Sequence, residues 1–428
     1  MTLSKSPCRR LDGRKPPPSC DSAQSSPAKG CMPSSRCSKE TAAGAPNAGD
    51  APLVHFQNMI GNCLDYARAA RAAGRPIVGI LCEYTPRELI LAAGGVPVCL
   101  CGGSSETIPA AERELPANLC PLIKSTYGYH VEKSNPFLEM ADLILAETTC
   151  DGKKKMYELL AEHRSMYVLE LPQREDDPDA YAHWVAELRK CKAFLESRYS
   201  VDITPERLRA SIVTMNRERQ LRRALAEQMK SEAPPLTGRE LILFKSSISG
   251  IPEDLVQYEN ALVWCGKKDK ACFRDRVRVL MTGSPMVHGA EHVLDLVESH
   301  GGLVVCMENC SGLKPILEDV GPDAPDPILA LADKYIHIPC SVMTPNRRRF
   351  QLLAQLAREY RAQCIVDFVL HACLTYSVES ARLKRFSEEE LGLPYLCIET
   401  DYAPADSARI AVRVEALFEM VRSRRSKS

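Results

Sequence analysis

The stretch ILAETTCDGKKKMYELL, residues 144–160, has a strand–helix pattern from which the fold can be predicted. Its first half is a short apolar run typical of a buried strand, and its second half has apolar residues at helical spacing. Cys150 lies where the strand should end, and Asp151 and Gly152 suit a turn into the first turn of a helix. The stretch therefore predicts a strand that carries a thiol to its carboxyl end, directly before a helix.

Strands and helices alternate on both sides of this stretch. In the first part of the chain the predicted strands are RPIVGIL, VPVCLC, DLILAE and MYVLEL. In the last part they are RVRVLMTG, GLVVCMEN, CIVDFVL and PYLCIET. Alternation of strands with helices at this spacing predicts parallel sheets covered by helices.

The middle of the chain differs because it has helical periodicity without strand signals. Helices are predicted to start at Asp179 and Thr204, and residues 240–264, ELILFKSSISGIPEDLVQYENALVW, are predicted to be helical too. We therefore expect an α/β fold with two lobes. The first lobe covers 51–177, a helical connector or insert covers 178–275, and the second lobe, with a C-terminal helix, covers 276–428.

Composition limits the functions that the chain can have. Of 428 residues, 45% are hydrophobic and 26% charged, and the 55 basic side chains balance the 55 acidic ones. This balance gives no support for nucleic acid or an anionic membrane as a partner. No apolar run approaches the roughly 18 residues that span a bilayer, and no apolar segment follows the basic start, so we expect a cytoplasmic protein. Residues 1–50 are rich in Pro, Ser, Gly and Ala and are predicted to be a disordered tail.

Cysteine is unusually frequent, with 19 residues. In a large cytosolic chain, buried thiols, metal ligands or catalytic thiols are expected before disulfides. Cys265 and Cys272 flank a lysine-rich turn and give a weak metal signal. Cysteines inside predicted strands and helices are expected to be small core residues: Cys63, Cys99, Cys101, Cys191, Cys306, Cys364 and Cys397.

Six other cysteines lie in loops beside strand ends or helix starts. They are Cys82, Cys120, Cys150, Cys310, Cys340 and Cys373. Because parallel strands place their carboxyl ends at one edge of a sheet, we expect all six to converge on the cleft between the lobes. Helices are predicted after Cys150 and Cys340, and their positive N-terminal ends would favour an anionic group there.

The spacing of these six residues bears on the kind of metal. Thiolates favour zinc and iron–sulfur clusters, and structural zinc usually takes closely spaced cysteine pairs. None of the six is paired in that way, and one cysteine from each of several loops fits a cluster better. On spacing alone, a metal site and a set of inert or redox thiols both stay open as interpretations.

Several motifs resemble those of the 2-hydroxyacyl-CoA dehydratase and benzoyl-CoA reductase family. They are LCEYTPRELILAAGGVPV, ANLCPLIKS, ETTCDGKKKMYELL, MENCSG and ETDY, and the resemblance covers about residues 55–425. It implies two Rossmann-like lobes and an oxygen-sensitive iron–sulfur cluster in the cleft between them, with the six loop cysteines as ligands. It also implies a separate ATP-hydrolysing activator, itself carrying a [4Fe–4S] cluster, that supplies low-potential electrons.

Two branches of this family differ in cluster and assembly. Dehydratase and reductase subunits typically hold one [4Fe–4S] cluster through three cysteines and act as heteromers on CoA thioesters. Double-cubane cluster proteins are homodimers whose chains each hold a sulfide-bridged [8Fe–9S] pair through six cysteines and reduce small substrates. Three cysteines per lobe resemble the second branch, so we expect a homodimeric reductase of a small molecule.

Two alternatives stay open. One is a dehydratase subunit, paired with a related subunit, that removes the hydroxyl group of an acyl-CoA by radical chemistry. The other is a non-catalytic electron carrier or two-lobed binding protein, which fold alone does not exclude. The sequence has no phosphate-binding loop and no flavin or NAD motif, which agrees with ATP hydrolysis by a partner.

Candidate proton donors near the expected cluster are Glu83, Tyr84, His371 and Glu399. The structural alternative for Glu83 and Tyr84 is a helix-start turn, and for His371 it is a structural histidine. The three lysines at 153–155 are expected to form a solvated face, with partner docking or tuning of the cluster's field as the alternative.

Overall fold

The computed structural model describes residues 51–268 and 273–425, which belong to one compact unit. The predicted tail at 1–50, with its four cysteines, lies outside the described residues, as does Cys272. None of the helices in the described part is long and apolar enough to cross a membrane.

Eight strands and sixteen α-helices make up the described part of the chain. The strands are β1 Ile77–Ile80, β2 Val96–Cys99, β3 Leu143–Glu147, β4 Met166–Leu169, β5 Val277–Gly283, β6 Gly302–Met307, β7 Cys364–Leu370 and β8 Tyr395–Thr400. The helices before β5 are α1 Ala51–Gln57, α2 Met59–Ala72, α3 Arg87–Ala92, α4 Ile108–Ala111, α5 Pro121–Glu132, α6 Pro136–Met140, α7 Asp151–Ala161, α8 Pro178–Tyr199, α9 Pro205–Glu227, α10 Gly238–Leu243 and α11 Pro252–Lys267. The helices after β5 are α12 His292–Ser299, α13 Pro327–Ile336, α14 Arg347–Glu359, α15 Leu374–Arg385 and α16 Ser407–Arg425.

The strands form two four-stranded sheets of the same plan. The order is β2-β1-β3-β4 in the first sheet and β6-β5-β7-β8 in the second, and every neighbouring pair is parallel. In each sheet the first strand pairs with the second on one side and the third on the other, as in Val78 opposite Leu143 and Val279 opposite Cys364. These sheets confirm the predicted α/β fold with two Rossmann-like lobes.

The central strands form because their residues are apolar almost without interruption. All residues of β1, β3 and β7 are buried, as expected for parallel strands covered by helices on both faces. The chain changes direction across each sheet between β1 and β3, and between β5 and β7. Beyond the carboxyl ends of such strands, an open α/β sheet leaves a crevice in which ligands bind.

Helices α8–α11 lie between the two sheets in sequence and contact both lobes. Helix α9 packs against α3, and α8 packs against α13. Arg219 of α9 and Glu88 of α3 form a buried ion pair, and the Tyr335 hydroxyl donates to Glu88 at 2.8 Å. The two lobes are therefore joined by buried polar as well as apolar contacts. The domain boundaries expected from the sequence stay predictions.

One stretch of the middle region is not helical as predicted. Residues 240–264 contain the end of α10, a loop at 244–251 and most of α11. The loop forms because three serines and Gly250, which has φ 80°, disfavour a helix, and Pro252 starts the next one.

Candidate metal centre and adjoining cavity

Three of the six loop cysteines lie at helix starts. We call them the second trio, and the remaining three, described next, the first trio. Cys120, Cys150 and Cys373 are the N-cap residues of α5, α7 and α15. A hydrogen bond from the Cys373 thiol lowers the pKa of Cys120, and that bond together with burial raises the pKa of Cys373 well above its usual value. Burial raises the pKa of Cys150, and the Cys373 charge adds to this rise. The three thiols are therefore close neighbours, with three helix N-termini around them.

The other three cysteines form the first trio, Cys82, Cys310 and Cys340. Burial raises the pKa of Cys82 to about 12, the Lys153 ammonium opposes this, and the Cys340 charge adds to it. Burial also raises the pKa of Cys310 well above its usual value; Lys314 lowers it, and the charges of Cys340 and Cys82 raise it. These mutual effects place the three thiols within electrostatic range of one another.

The two trios lie within electrostatic range of each other, because the Cys340 charge also raises the pKa of Cys150. Each trio takes thiols from both lobes. The first combines Cys82, after β1, with two cysteines of the second lobe, and the second combines two cysteines of the first lobe with Cys373, after β7. The structure thus brings the six predicted thiols together between the sheets. Their role as ligands stays a prediction.

The spacing of these thiols bears on the kind of metal that they could hold. Within the described ranges, no three His, Cys, Asp or Glu side chains are grouped closely enough to hold a single metal ion. A single zinc ion gathers thiolates at about 2.3 Å. A cluster spreads its thiolates over separate iron atoms and does not need such a tight group. Two trios of thiolate donors fit iron–sulfur clusters in chemical character.

The helix prediction at the trios is partly wrong. No helix starts directly after Cys340, because α14 begins only at Arg347. The helices that begin at the cysteines are instead those of the second trio. An α-helix N-terminus carries a partial positive charge and free N–H groups, so an anionic group at the second trio would be stabilised by backbone alone.

At the first trio, lysine side chains supply the positive charge that would stabilise an anionic group. Lys153 does not belong to a solvated face, because its ammonium donates to the carbonyl of Leu81 at 2.7 Å. Burial lowers the pKa of Lys153, but nearby groups that include the thiols of Cys82 and Cys150 raise it well above its usual value. Lys154, in contrast, pairs with exposed Asp151 at 2.8 Å, as a surface lysine should.

Lys314 is a second cation at the first trio, and sequence reasoning missed it. It is only 1% exposed, and its ammonium lies 2.9 Å from the Tyr376 hydroxyl and 3.3 Å from a Glu308 carboxylate oxygen. Burial lowers its pKa, but the charges of Glu308, Cys340 and Cys310 raise it above its usual value. The sequence feature that could have identified Lys314 is its position four residues after Cys310.

A cavity of about 430 Å³ adjoins the first trio, with Cys82 and Cys310 in its wall. Cys99 and Cys101 also line it. The prediction of a core residue is wrong for Cys101, which lies beyond the end of β2 and donates weakly to Leu81 at 3.4 Å. A hydrogen bond from Cys101 lowers the pKa of Cys99 to about 6.

The candidate proton donors lie in different places. Glu83 lines the cavity and pairs with Arg87 at 2.7 Å. Tyr84 is buried near the first trio, and its hydroxyl donates to the carbonyl of Ile338 at 3.0 Å. His371 and Glu399 are exposed, and neither lines the cavity. The structure therefore brings two of the four candidates to the first trio.

Glu147, at the carboxyl end of β3, is an ionisable group to which sequence reasoning gave no role. It is 0% exposed, and burial raises its pKa to about 7, against the lowering effects of Thr85 and Lys153. The Thr85 hydroxyl donates to one carboxylate oxygen, whereas the other has no hydrogen-bond partner among the described residues. A buried carboxyl group with a pKa near neutrality can hold or release a proton.

Two parallel sheets whose loop thiols meet in one crevice define a two-lobed α/β protein with a thiol-rich cleft. Residues 82–421 match the family described as 2-hydroxyglutaryl-CoA dehydratase, D-component, and the chain belongs to this family. This match confirms the resemblance drawn from the cysteine motifs.

Individual relatives agree with this assignment. The chain is 38% identical over 356 residues, 81% of its length and 92% of the relative's, to the putative dehydratase subunit YjiM of Escherichia coli (strain K12). It is 22% identical over 383 residues, 85% of its length and 97% of the relative's, to the (R)-phenyllactyl-CoA dehydratase beta subunit of Clostridium sporogenes. With a benzoyl-CoA reductase subunit of Thauera aromatica it shares 24% identity over 236 residues, 54% of its length and 60% of the relative's.

Proposed function

We propose that this chain is an oxygen-sensitive iron–sulfur enzyme that reduces a small substrate at a double-cubane-type cluster. The observation that carries the proposal is the arrangement of six loop thiols in two trios within electrostatic range of each other, each drawn from both lobes. Each trio would hold one [4Fe–4S] unit, and the effect of the Cys340 charge on Cys150 links the two trios. One cluster held by three thiols would leave the other trio without a role.

When bound, such a cluster supplies electrons at low potential. The protein's part is to compensate its negative charge and to manage protons. Helix N-termini do the first at the second trio, and Lys153 and Lys314 do it at the first. Glu83 faces the cavity, and Glu147 is the buried group whose pKa of about 7 suits proton storage.

The partner in this proposal is an ATP-hydrolysing activator with its own [4Fe–4S] cluster, and the assembly is a homodimer in the cytoplasm. Apart from Cys265, the cysteines in the described ranges are free thiols, as expected in a reducing compartment. The sequence lacks a phosphate-binding loop, so an ATP-driven step would need another protein.

A second candidate function is a 2-hydroxyacyl-CoA dehydratase subunit with one [4Fe–4S] cluster. The names of the relatives favour it, because one is a beta subunit of a CoA-ester dehydratase and another belongs to a CoA-ester reductase. In that case a related subunit would complete a heterodimer, and the substrate would be an acyl-CoA. A non-catalytic carrier of electrons is the candidate of another class.

Iron analysis separates the two enzymatic functions. Protein purified without oxygen should be brown and contain about eight iron atoms per chain. About four iron atoms would favour the dehydratase subunit, and a colourless protein without iron would exclude both enzymes. Gel filtration with mass measurement then distinguishes a homodimer from a chain that awaits a related subunit.

Serine variants test the ligand assignment. Cys150→Ser and Cys310→Ser should each lower the iron content, because they belong to different trios. Cys364→Ser is the matched control, since Cys364 is buried in β7 away from both trios. Cys99→Ser should also retain iron, although Cys99 lines the cavity. Loss of iron in either control would contradict the assignment.

A further inference from the structure

Part of the cavity wall is a short loop that the proposed chemistry does not use. It comprises residues 245–249, KSSIS, and we call it the serine loop. The loop is held against the carboxyl end of β2, because Ile248 forms an antiparallel bridge with Val98 and the Cys99 N–H donates to the carbonyl of Ser247 at 2.8 Å. Its position over the cavity is therefore fixed by backbone bonds.

Lys245 begins this loop and has no carboxylate partner within ion-pair distance among the residues that the structure describes. Its ammonium makes one bond, to the carbonyl of Met286 at 3.3 Å. Burial lowers the pKa of Lys245, the Glu291 charge raises it, and the Arg222 charge lowers it again. An ammonium has three donors, and the charges of Glu291, Cys99 and Glu83 act on Lys245 only from beyond ion-pair distance, so a ligand anion in direct contact would stabilise it.

Hydroxyl groups surround the same part of the wall. The hydroxyls of Ser246 and Ser247 have sulfur partners, Cys63 at 3.0 Å and Met59 at 3.3 Å, and Ser249 also lines the cavity. Bonds to sulfur are weak, so these hydroxyls can turn to a better acceptor.

Basic side chains outnumber carboxylates in the cavity wall, although the Cys99 thiol, whose pKa is lowered to about 6, adds a negative charge near neutral pH. Carboxylates in the wall are Glu83 and Glu218. The lysine and arginine side chains in the wall outnumber them and are Arg87, Lys153, Arg219, Arg222 and Lys245. Arg222 lies 3.4 Å from Glu218, a long bond that leaves most of its donors available. Low-dielectric walls with an excess of one charge raise the local concentration of the opposite charge.

We propose that Lys245 and the serine loop bind the carboxylate group of a small organic acid in this cavity. The Lys245 ammonium and the neutral hydroxyls beside it match the single negative charge of a carboxylate group. The cavity volume of about 430 Å³ lies in the range of small-molecule sites. The binding of such an acid does not depend on the proposed function. Its identification as the substrate rests on that function.

The first test compares a carboxylate with a neutral molecule of the same shape. Isothermal titration of the anaerobically purified protein with propionate and with propionamide should give at least about tenfold tighter binding of propionate. Equal affinities, or no binding of propionate, would overturn the proposal. Inorganic phosphate and coenzyme A are titrated in parallel, and tighter binding of either than of propionate would also overturn it.

Variants then locate the site. Lys245→Met should weaken propionate binding at least about tenfold, and Lys245→Arg should retain most of it. Lys154→Met is the control, because Lys154 is a surface lysine paired with Asp151. The affinity of this variant for propionate should equal that of the wild type. Unchanged affinity in Lys245→Met would overturn the assignment.

The iron content of each protein is measured at the same time. Protein that binds propionate through Lys245 but contains no iron would refute the proposed function and leave this inference intact. Protein that contains about eight iron atoms and does not distinguish propionate from propionamide would refute this inference and leave the proposed function intact.

Discussion

The substitution Glu88→Gln should destabilise the protein strongly, because it removes one charge of a buried ion pair. Glu88 is 0% exposed and Arg219 3% exposed, and the pair joins α3 to α9 across 131 positions of sequence. Tyr335 donates to the same carboxylate at 2.8 Å. Burial raises the pKa of Glu88, but Arg219 more than offsets this and leaves it lowered.

The magnitude follows from the burial of the charge that remains. Removing one partner of a buried pair leaves the other uncompensated, at a cost of about 3–5 kcal/mol in the free energy of unfolding. A folded part of about 370 residues has an unfolding entropy of about 0.8 kcal/mol/K, taking about 2.1 cal/mol/K per residue. The thermal midpoint should therefore fall by about 4–6 °C.

Differential scanning calorimetry at pH 7 measures this shift. The control is Asp65→Asn, since Asp65 and Arg68 form an exposed pair at 3.5 Å, and its midpoint should move by less than about 1 °C. A double variant, Glu88→Leu with Arg219→Met, should recover part of the loss because it removes both charges of the pair. A shift in Glu88→Gln no larger than that of the control would refute the reasoning.

The pH dependence gives an independent check of the same pair. A carboxyl group with a lowered pKa in the folded state stabilises the fold above its unfolded pKa of about 4.5, and this contribution is lost as the pH falls through the folded pKa. The difference in midpoint between wild type and Glu88→Gln should therefore be full at pH 7 and shrink below about pH 4.5.

Three further predictions concern the site. Lys153→Met should lower the reduction potential of the bound cluster by on the order of 50 mV in a redox titration followed by electron paramagnetic resonance, because it removes a positive charge beside Cys82; an unchanged or raised potential would contradict this. The raised pKa of Glu147 means that this residue's own contribution to stability falls by about 3 kcal/mol as the pH rises from about 4.5 to about 7, so the thermal midpoint of wild type relative to Glu147→Gln should fall over this pH range; a constant difference would contradict this. Tyr84→Phe should cost about 1–3 kcal/mol in urea unfolding, because the buried carbonyl of Ile338 loses its donor; a loss below about 0.5 kcal/mol would show that water replaces it.

The strands could be predicted from the sequence because their signal is local. Each is a short apolar run bounded by turn residues, and all eight lie where the runs predicted them. The convergence of the loop cysteines was also predictable, since parallel strands bring their carboxyl ends to one edge. The division into trios was not, because it depends on how one lobe faces the other, and no spacing along the chain encodes that orientation.

The errors have local physical causes as well. Residues 240–264 have enough apolar residues at helical spacing to predict a helix, yet the consecutive serines and Gly250 favour a loop. Lys153 and Lys154 look alike in sequence, but a helix turns successive residues by about 100°, so one reaches Leu81 and the other faces solvent. Lys314 was missed because a lysine is rarely buried unless it is paired, and its partners come from other elements.

The mixed origin of each trio has a consequence for access to the site. Many two-lobed proteins admit their ligands by opening like a hinge and closing over them. Here each trio would link the two lobes through the cluster that it binds. Opening the cleft would then require breaking bonds to thiolates. With clusters bound, the two lobes would therefore not move apart. Ligands would have to enter and leave through a channel that is always open. The cavity beside Cys82 and Cys310 is the place to look for its mouth.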